Sequence, residues 1–190
     1  MNIFFTDPHP RQCASEHCDR HVVKMPIEYS QMLASAHRYY RGSSGNLIHP
    51  TKQNLLENYP YVLPEEQATS IAVMPLMAHE NHPSTAWVRA DAINYQWLYW
   101  LYIELCAEYF HRYGQYKSPP VQMQAYRHAE RLYDVPNGIP LAESIAMDSP
   151  PQCMPDEYKN DSPIVAYRQF IKYGKKPSLH SWKYREPPNW

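Results

Sequence analysis

Five polar side chains recur at helical intervals early in the 190-residue chain: His17, His21, Lys24, Glu28 and Gln31, separated by four, three, four and three residues. That rhythm follows the helical turn and places all five on one face. Val22, Met25, Tyr29, Met32, Leu33 and Ala36 form an apolar stripe opposite, so the polar face is expected to look outward or into a cleft. A glutamate there can move protons beside a nucleophile or a bound base, and histidines titrate near neutrality. Glu28, His21 and Lys24 are therefore the candidate catalytic groups, with Asp19, Gln31 and His37 on the same helix as candidate substrate contacts. The plain alternative is an exposed Lys24–Glu28 ion pair worth about 0.3–0.5 kcal/mol. A zinc site is a third reading, because Cys13, His17, Cys18 and His21 have spacings compatible with ligation. The chain has no Cys-x-x-Cys pair, so no metal or cofactor is assigned.

Two further segments carry groups suited to anions and bases. His79-Glu80-Asn81-His82-Pro83 stands just before an expected helix N-terminus, where backbone N–H groups attract negative charge. Asn81 and His82 are candidate substrate contacts, as are Trp87 and Arg89 in the first turns of that helix, suited to stacking on a base and binding phosphate. A polar turn capped by Ser84 explains the segment equally well. Near the C-terminus, Lys172, Lys175, Lys176, Trp182, Lys183, Tyr184, Arg185 and Trp190 interleave cations with aromatic rings. Lys183 and Arg185 are the tail's candidate phosphate contacts, against a reading in which the tail docks its tryptophans into the core.

The elements that must position these groups are helical. A short extended start, Asn2 to Thr6, leads through a turn at Asp7 to Pro10 into a helix expected from about Cys13 to Tyr40, with a kink or break just before Pro26. Gly42 to Gly45 reads as a loop, Thr51 to Asn58 as a short helix, and 59 to 84 as an irregular proline-rich connection. Ser84 is expected to cap a long helix running to Tyr113 and stopped by Gly114. Ser118-Pro119-Pro120 opens another helix to about Tyr133, and Ser162-Pro163 one ending at Gly174.

Composition agrees with a mainly α fold, a compact single domain over 1–190 with irregular Pro-rich connections and the basic, aromatic tail 175–190 packed on it. Hydrophobic residues make up 44%, enough for a sizeable core, and only 5 glycines stand against 19 prolines, which argues against a β-sandwich or barrel. A net charge of −1 excludes a strongly cationic nucleic-acid binder but not a local basic patch. The most apolar stretch, Trp97 to Cys106, contains Glu104 and is too short and polar to span a bilayer. With no basic-then-apolar leader and four cysteines expected as thiols, the reading is a soluble protein of the cytoplasm, the host's if the chain is phage-encoded, without a membrane partner.

Asp19-x-His21-x6-Glu28 resembles the first-helix pattern of the pyrimidine-dimer DNA glycosylase/AP-lyase family, the bacteriophage endonuclease V type. Ala107 to Gly114 is similar to the end of that family's central helix, Trp182-Lys183-Tyr184 to its aromatic tail, and Asn81-His82-Pro83 to a short motif of bacterial members. The resemblance implies an N-terminal amine, on Met1 or Asn2, that attacks the sugar C1′, with Glu28 as the assisting carboxylate and DNA or a nucleotide as partner. Ile27 and Gln31 stand where the family has phosphate-gripping arginines. The chain also resembles a group of small phage-encoded proteins through His17 to Met25, Met154 to Lys159, Ala166-Tyr167-Arg168 and the terminal Pro188-Asn189-Trp190, a likeness that implies no reaction. The expectation is a base- or nucleotide-directed enzyme acting at the N-glycosidic bond. Its alternatives are a phage enzyme altering modified thymines, a non-catalytic binder of a nucleotide or host protein using the 17 tyrosines and 5 tryptophans as anchors, and a zinc-stabilised helical domain.

Overall fold

The computed structural model describes residues 1–42, 75, 78–114, 128–141 and 147–190. The loop expected at 42–45 and the short helix at 51–58 lie outside the described residues, apart from Gly42 itself, as does most of the irregular connection and of the helix expected from 118. The fold is mainly α: α1 (Pro10–Glu16), α2 (Asp19–Gly42), α3 (Pro83–Ala90), α4 (Ala92–Tyr113), α5 (Ala129–Leu132) and α6 (Pro163–Gln169). There is no strand among the described residues, and no helix long and apolar enough to cross a membrane.

The first helical run breaks earlier than the expected kink. His17 leaves the helix with extended backbone (φ −65°, ψ 131°), its N–H closing on the Ala14 carbonyl, and α2 restarts at Asp19. Pro26 sits inside α2 and does not end it. Its ring removes one backbone donor, but it is buried against the core, where packing outweighs the lost bond.

The second run is also divided. His82, not Ser84, is the N-cap of α3: its Nδ1 accepts from the Ser84 N–H at 3.1 Å, with Pro83 in the first turn. Asp91 (φ −154°, ψ 143°) then interrupts the chain, and its carboxylate accepts from the Ile93 N–H at 2.6 Å to start α4. An aspartate offers a free helix start a better cap than continued helix does, which separates α3 from α4. Gly114 ends α4 at a φ of 73°, a conformation that costs a residue without Cβ nothing. Ser162 caps α6, which passes into a π turn at Phe170–Gly174.

Helix α4 is the hub, packed on α1, α2 and α3. The N-terminal segment threads into this core rather than lying on it: Ile3 through Thr6 are buried, Phe5 meets Trp97 edge-on, and the Phe4 N–H donates to the Tyr29 hydroxyl at 3.2 Å. Tyrosines tie the short helices α3 and α5 and one proline-rich segment to the longer helices. The Tyr95, Tyr99 and Tyr167 hydroxyls donate to the carbonyls of Leu132, Ala129 and Pro151, and Tyr40 to that of Arg89. The last carbonyls of a short helix, like those of a proline-rich stretch, have no partner in a regular ladder, so tyrosine rings fill the core while their hydroxyls supply the missing donors.

The tail is held by directional contacts. The Trp182 indole donates to the Glu16 carbonyl at 3.0 Å, Asp19 N–H to the Ser181 carbonyl at 2.8 Å, and Lys183 N–H to the Asp19 carboxylate at 2.9 Å. Arg112, 1% exposed, donates to Glu108 at 2.7 Å, Asp19 at 2.9 Å and the Ser15 carbonyl at 3.0 Å. Arg185 closes the set with a two-pronged contact on Glu108 at 2.9 and 2.7 Å. Burial alone would raise the Glu108 carboxyl, but the hydrogen bonds from Arg185 and Arg112 carry it below the usual carboxylate range.

Candidate functional site

Only part of the expected polar face of the first helix faces solvent. His17 lies outside α2 and is fully buried, with Nδ1 2.6 Å from the Cys13 carbonyl and Nε2 3.5 Å from the Tyr29 hydroxyl. Burial pushes its pKa down to about 4, so the ring is neutral and joins α1 to α2. His21 is buried too, stacked on Phe4 with ring centroids 3.8 Å apart and planes at 19°. Burial first, then the charges of His17, Lys175 and Lys24, hold His21 well below the ordinary histidine range. The expectation of an outward face thus fails for both histidines, because α1 and the N-terminal segment cover the start of α2.

Lys24 and Glu28 stay at the edge of that cover. Their ion pair is 2.6 Å long, the lysine side chain 68% exposed and the glutamate 15%. Gln31 is half-buried on the next turn. Across from them stands the start of α3. Because Nδ1 of His82 accepts from Ser84, the ring proton resides on Nε2, which is left as a donor. The His82 pKa is lowered, mainly by burial, then by the charges of the chain's N-terminal amine and of His79, while Glu28 pulls the other way. One imidazole therefore feels both the amine of Met1 and the carboxylate of Glu28, three groups that are far apart in sequence. Met1 and Asn2 are half-buried beside this site.

From His82 a shallow cleft of about 560 Å³ runs along Pro83, Pro151, Gln152, Cys153, Met154, Pro155 and Lys159. Its far wall is stiffened by a closed amide pair, Gln152 Nε2 to the Asn160 carbonyl at 2.6 Å and Asn160 N–H to Gln152 Oε1 at 2.9 Å. The Met154–Lys159 motif thus borders the site. Its lining role was not legible from sequence, since nothing local connects residues 154–159 to residue 82.

The other expected contacts are placed elsewhere or are occupied. Asn81 is exposed at the turn before α3. Trp87 is buried and donates to the Asp148 carbonyl at 3.0 Å. Arg89 donates to the Glu80 carbonyl at 2.6 Å and lies over the Tyr39 ring at 4.4 Å. His37 is buried against the Tyr95 hydroxyl at 2.8 Å. Asp19 and Arg185 belong to the Arg112 network, and Lys183 sits 5.2 Å over the Tyr113 ring. The zinc reading finds no support: Cys13 Sγ donates to the Phe4 carbonyl, His17 is spent on a carbonyl, and no group of three or more His, Cys, Asp or Glu is arranged for a metal among the described residues.

Compared with known proteins, the chain matches no family model, no curated protein and no solved structure.

Proposed function

We propose that the protein is a glycosylase/lyase-like enzyme that acts at the N-glycosidic bond of a DNA nucleotide or a free nucleotide, using the amine of Met1 and the carboxylate of Glu28. The observation that supports this reading is that the charges of both groups act on His82, although the three are far apart in sequence. In the proposed reaction the amine lone pair attacks C1′, and the C1′–base bond breaks with its electrons leaving on the base. The His82 Nε2–H, a neutral donor at a helix start, hydrogen-bonds to the departing base. Loss of the amine proton and opening of the C1′–O4′ bond give an imine, O4′ taking a proton, and Glu28 serves as the acid/base in that exchange. The ion pair with Lys24 holds the carboxylate in its ionised form at the edge of the core.

Borohydride reduction of mixtures with duplexes containing damaged bases or an abasic site tests this reading. The expected result is a covalent adduct with wild-type protein, and base release that falls by about 100-fold or more in Glu28→Gln. Absence of an adduct and of base release on DNA and on nucleotides would overturn it.

A further inference from the structure

Residues 1–5, which carry the Met1 amine, form neither helix nor strand. With no backbone ladder to hold them, their position is set by side chains that reach them from other elements. One grip comes from the first helices: the Phe4 N–H donates to the Tyr29 hydroxyl at 3.2 Å, and the Cys13 thiol donates to the Phe4 carbonyl at 3.1 Å. The other comes from α6, 162 residues away along the chain. The Arg168 Nε–H donates to the Thr6 carbonyl at 2.9 Å, and the Tyr167 ring meets the Phe4 ring edge-on with centroids 6.0 Å apart. Arg168 is itself braced. Its Nη2 lies 3.8 Å from the Glu16 carboxylate and 3.9 Å from that of Asp7, and its guanidinium stands 5.7 Å from the Trp190 ring centroid.

Tyr167 also reaches the cleft. Its hydroxyl donates to the Pro151 carbonyl at 2.7 Å, and the same carbonyl accepts from the Cys153 N–H at 3.0 Å. Pro151 and Cys153 both line the cleft that begins at His82. One fully buried side chain thus joins the cleft wall to the segment that ends in the amine. Met1 stands three residues ahead of Phe4, so its amine lies within about 12 Å of the Phe4 Cα whatever path the segment takes. Attack on a bound sugar carbon depends on that placement, since a displacement of about 1 Å can cost about 100-fold in rate. We propose that Tyr167 and Arg168 are positioning residues that hold the Met1 amine in register with a nucleotide lying in the cleft. They act through Phe4, Thr6 and Pro151 rather than on the reacting atoms. The inference rests on the glycosidic reading above, and it gives the Tyr167-Arg168 pair a place in that reaction.

Single-turnover borohydride trapping on an abasic duplex, with the intact chain, is the test. Tyr167→Phe keeps the ring on Phe4 and loses the bond to Pro151, whereas Arg168→Met keeps an apolar stem and loses the bond to Thr6. Each is expected to lower the trapping rate at saturating DNA about tenfold, with the half-saturating DNA concentration unchanged within about twofold. Arg168→Lys, whose ammonium can still donate to the Thr6 carbonyl, is expected to recover most of that rate. Hydrogen exchange reads the grip without catalysis. The Phe4 and Thr6 amides, bonded to the Tyr29 hydroxyl and the Phe4 carbonyl, are expected to exchange about tenfold faster in Arg168→Met, while protection retained in α2 and α4 shows that the variant has folded. Full-rate trapping in both variants, a loss confined to the half-saturating concentration, or unchanged exchange at Phe4 and Thr6 overturns the inference and leaves the glycosidic reading standing. Wild-type protein that forms no adduct overturns the glycosidic reading itself and takes the inference with it.

Discussion

Asp19 and Glu28 are carboxylates nine residues apart on the same helix, yet their surroundings differ completely. Asp19 accepts from the Arg112 guanidinium and from the Lys183 N–H, inside a set where Arg112, Glu108 and Arg185 also satisfy one another. Glu28 has one lysine partner among the described residues, and its charge reaches His82, an imidazole on which the chain's first amine also acts. Saturated charge holds a fold together, because every buried donor and acceptor is already used. Unsaturated charge at the edge of the core costs stability and leaves groups free for a ligand, which is where chemistry is to be sought.

The sharpest way to break this contrast is Arg112→Ala. It strands Glu108 and Asp19 without their shared cation and is expected to cost about 3–5 kcal/mol, read as a large drop in denaturation midpoint. A smaller loss would mean that the network is less closed than its distances imply.

Acid should act on the buried histidines next. The His17 pKa falls from an ordinary value near 6.5 to about 4 on folding, so the unfolded chain binds the proton first. The neutral ring's contribution is complete above the unfolded value and is lost as pH falls from 6.5 towards 4, with His21 acting in the same direction. The loss reaches the order of 3 kcal/mol for His17 below pH 4, and the part of about 2 kcal/mol that falls between pH 7 and pH 5 should shrink in His17→Gln when denaturation is compared at those two values. Glu108 adds a second loss at more acidic pH, since its carboxylate is held below the usual range.

Tyr29→Phe removes the hydroxyl that accepts from Phe4 and approaches His17, and should cost about 1–2 kcal/mol in the same measurement. The smallest effect belongs to the open cluster. Lys24→Met should change stability by less than about 1 kcal/mol, because the lysine is exposed and its pair with Glu28 is screened by solvent. If it destabilised the fold as much as Arg112→Ala does, the distinction between the two clusters would collapse.

Much of the helical scaffold was legible. The Ser162-Pro163 start, the Gly114 stop and the apolar stripe of α2 rest on local rules of backbone geometry, capping and side-chain period. The helix breaks were readable only in part. Pro83 in the first turn of α3 pointed to a cap at residue 82, but a histidine is a rare cap and Ser84 is the commoner type. Asp91 offered a similar signal inside what reads as one continuous apolar run. For the site, Lys24 and Glu28 lie where their spacing put them, whereas Tyr167 and Arg168 stood out only in a likeness that implies no reaction. The Glu108–Arg112 pair, four residues apart on α4, was not singled out from the sequence, because nothing local marks it as buried.

Sequence by itself determined the helices, the amphipathic stripe that directs α2 inward, and the adjacency of Lys24 and Glu28, because each depends on contacts within a few residues along the chain. Tertiary structure decided which polar groups were consumed and which were left. His21 became a core ring because Phe4 folded over it, Asp19 a tail anchor because Arg112 reached it from α4, and His82 a group that feels the charges of both the N-terminus and Glu28. Those outcomes depend on desolvation and on charges brought together from distant parts of the chain, terms that helical periodicity does not contain.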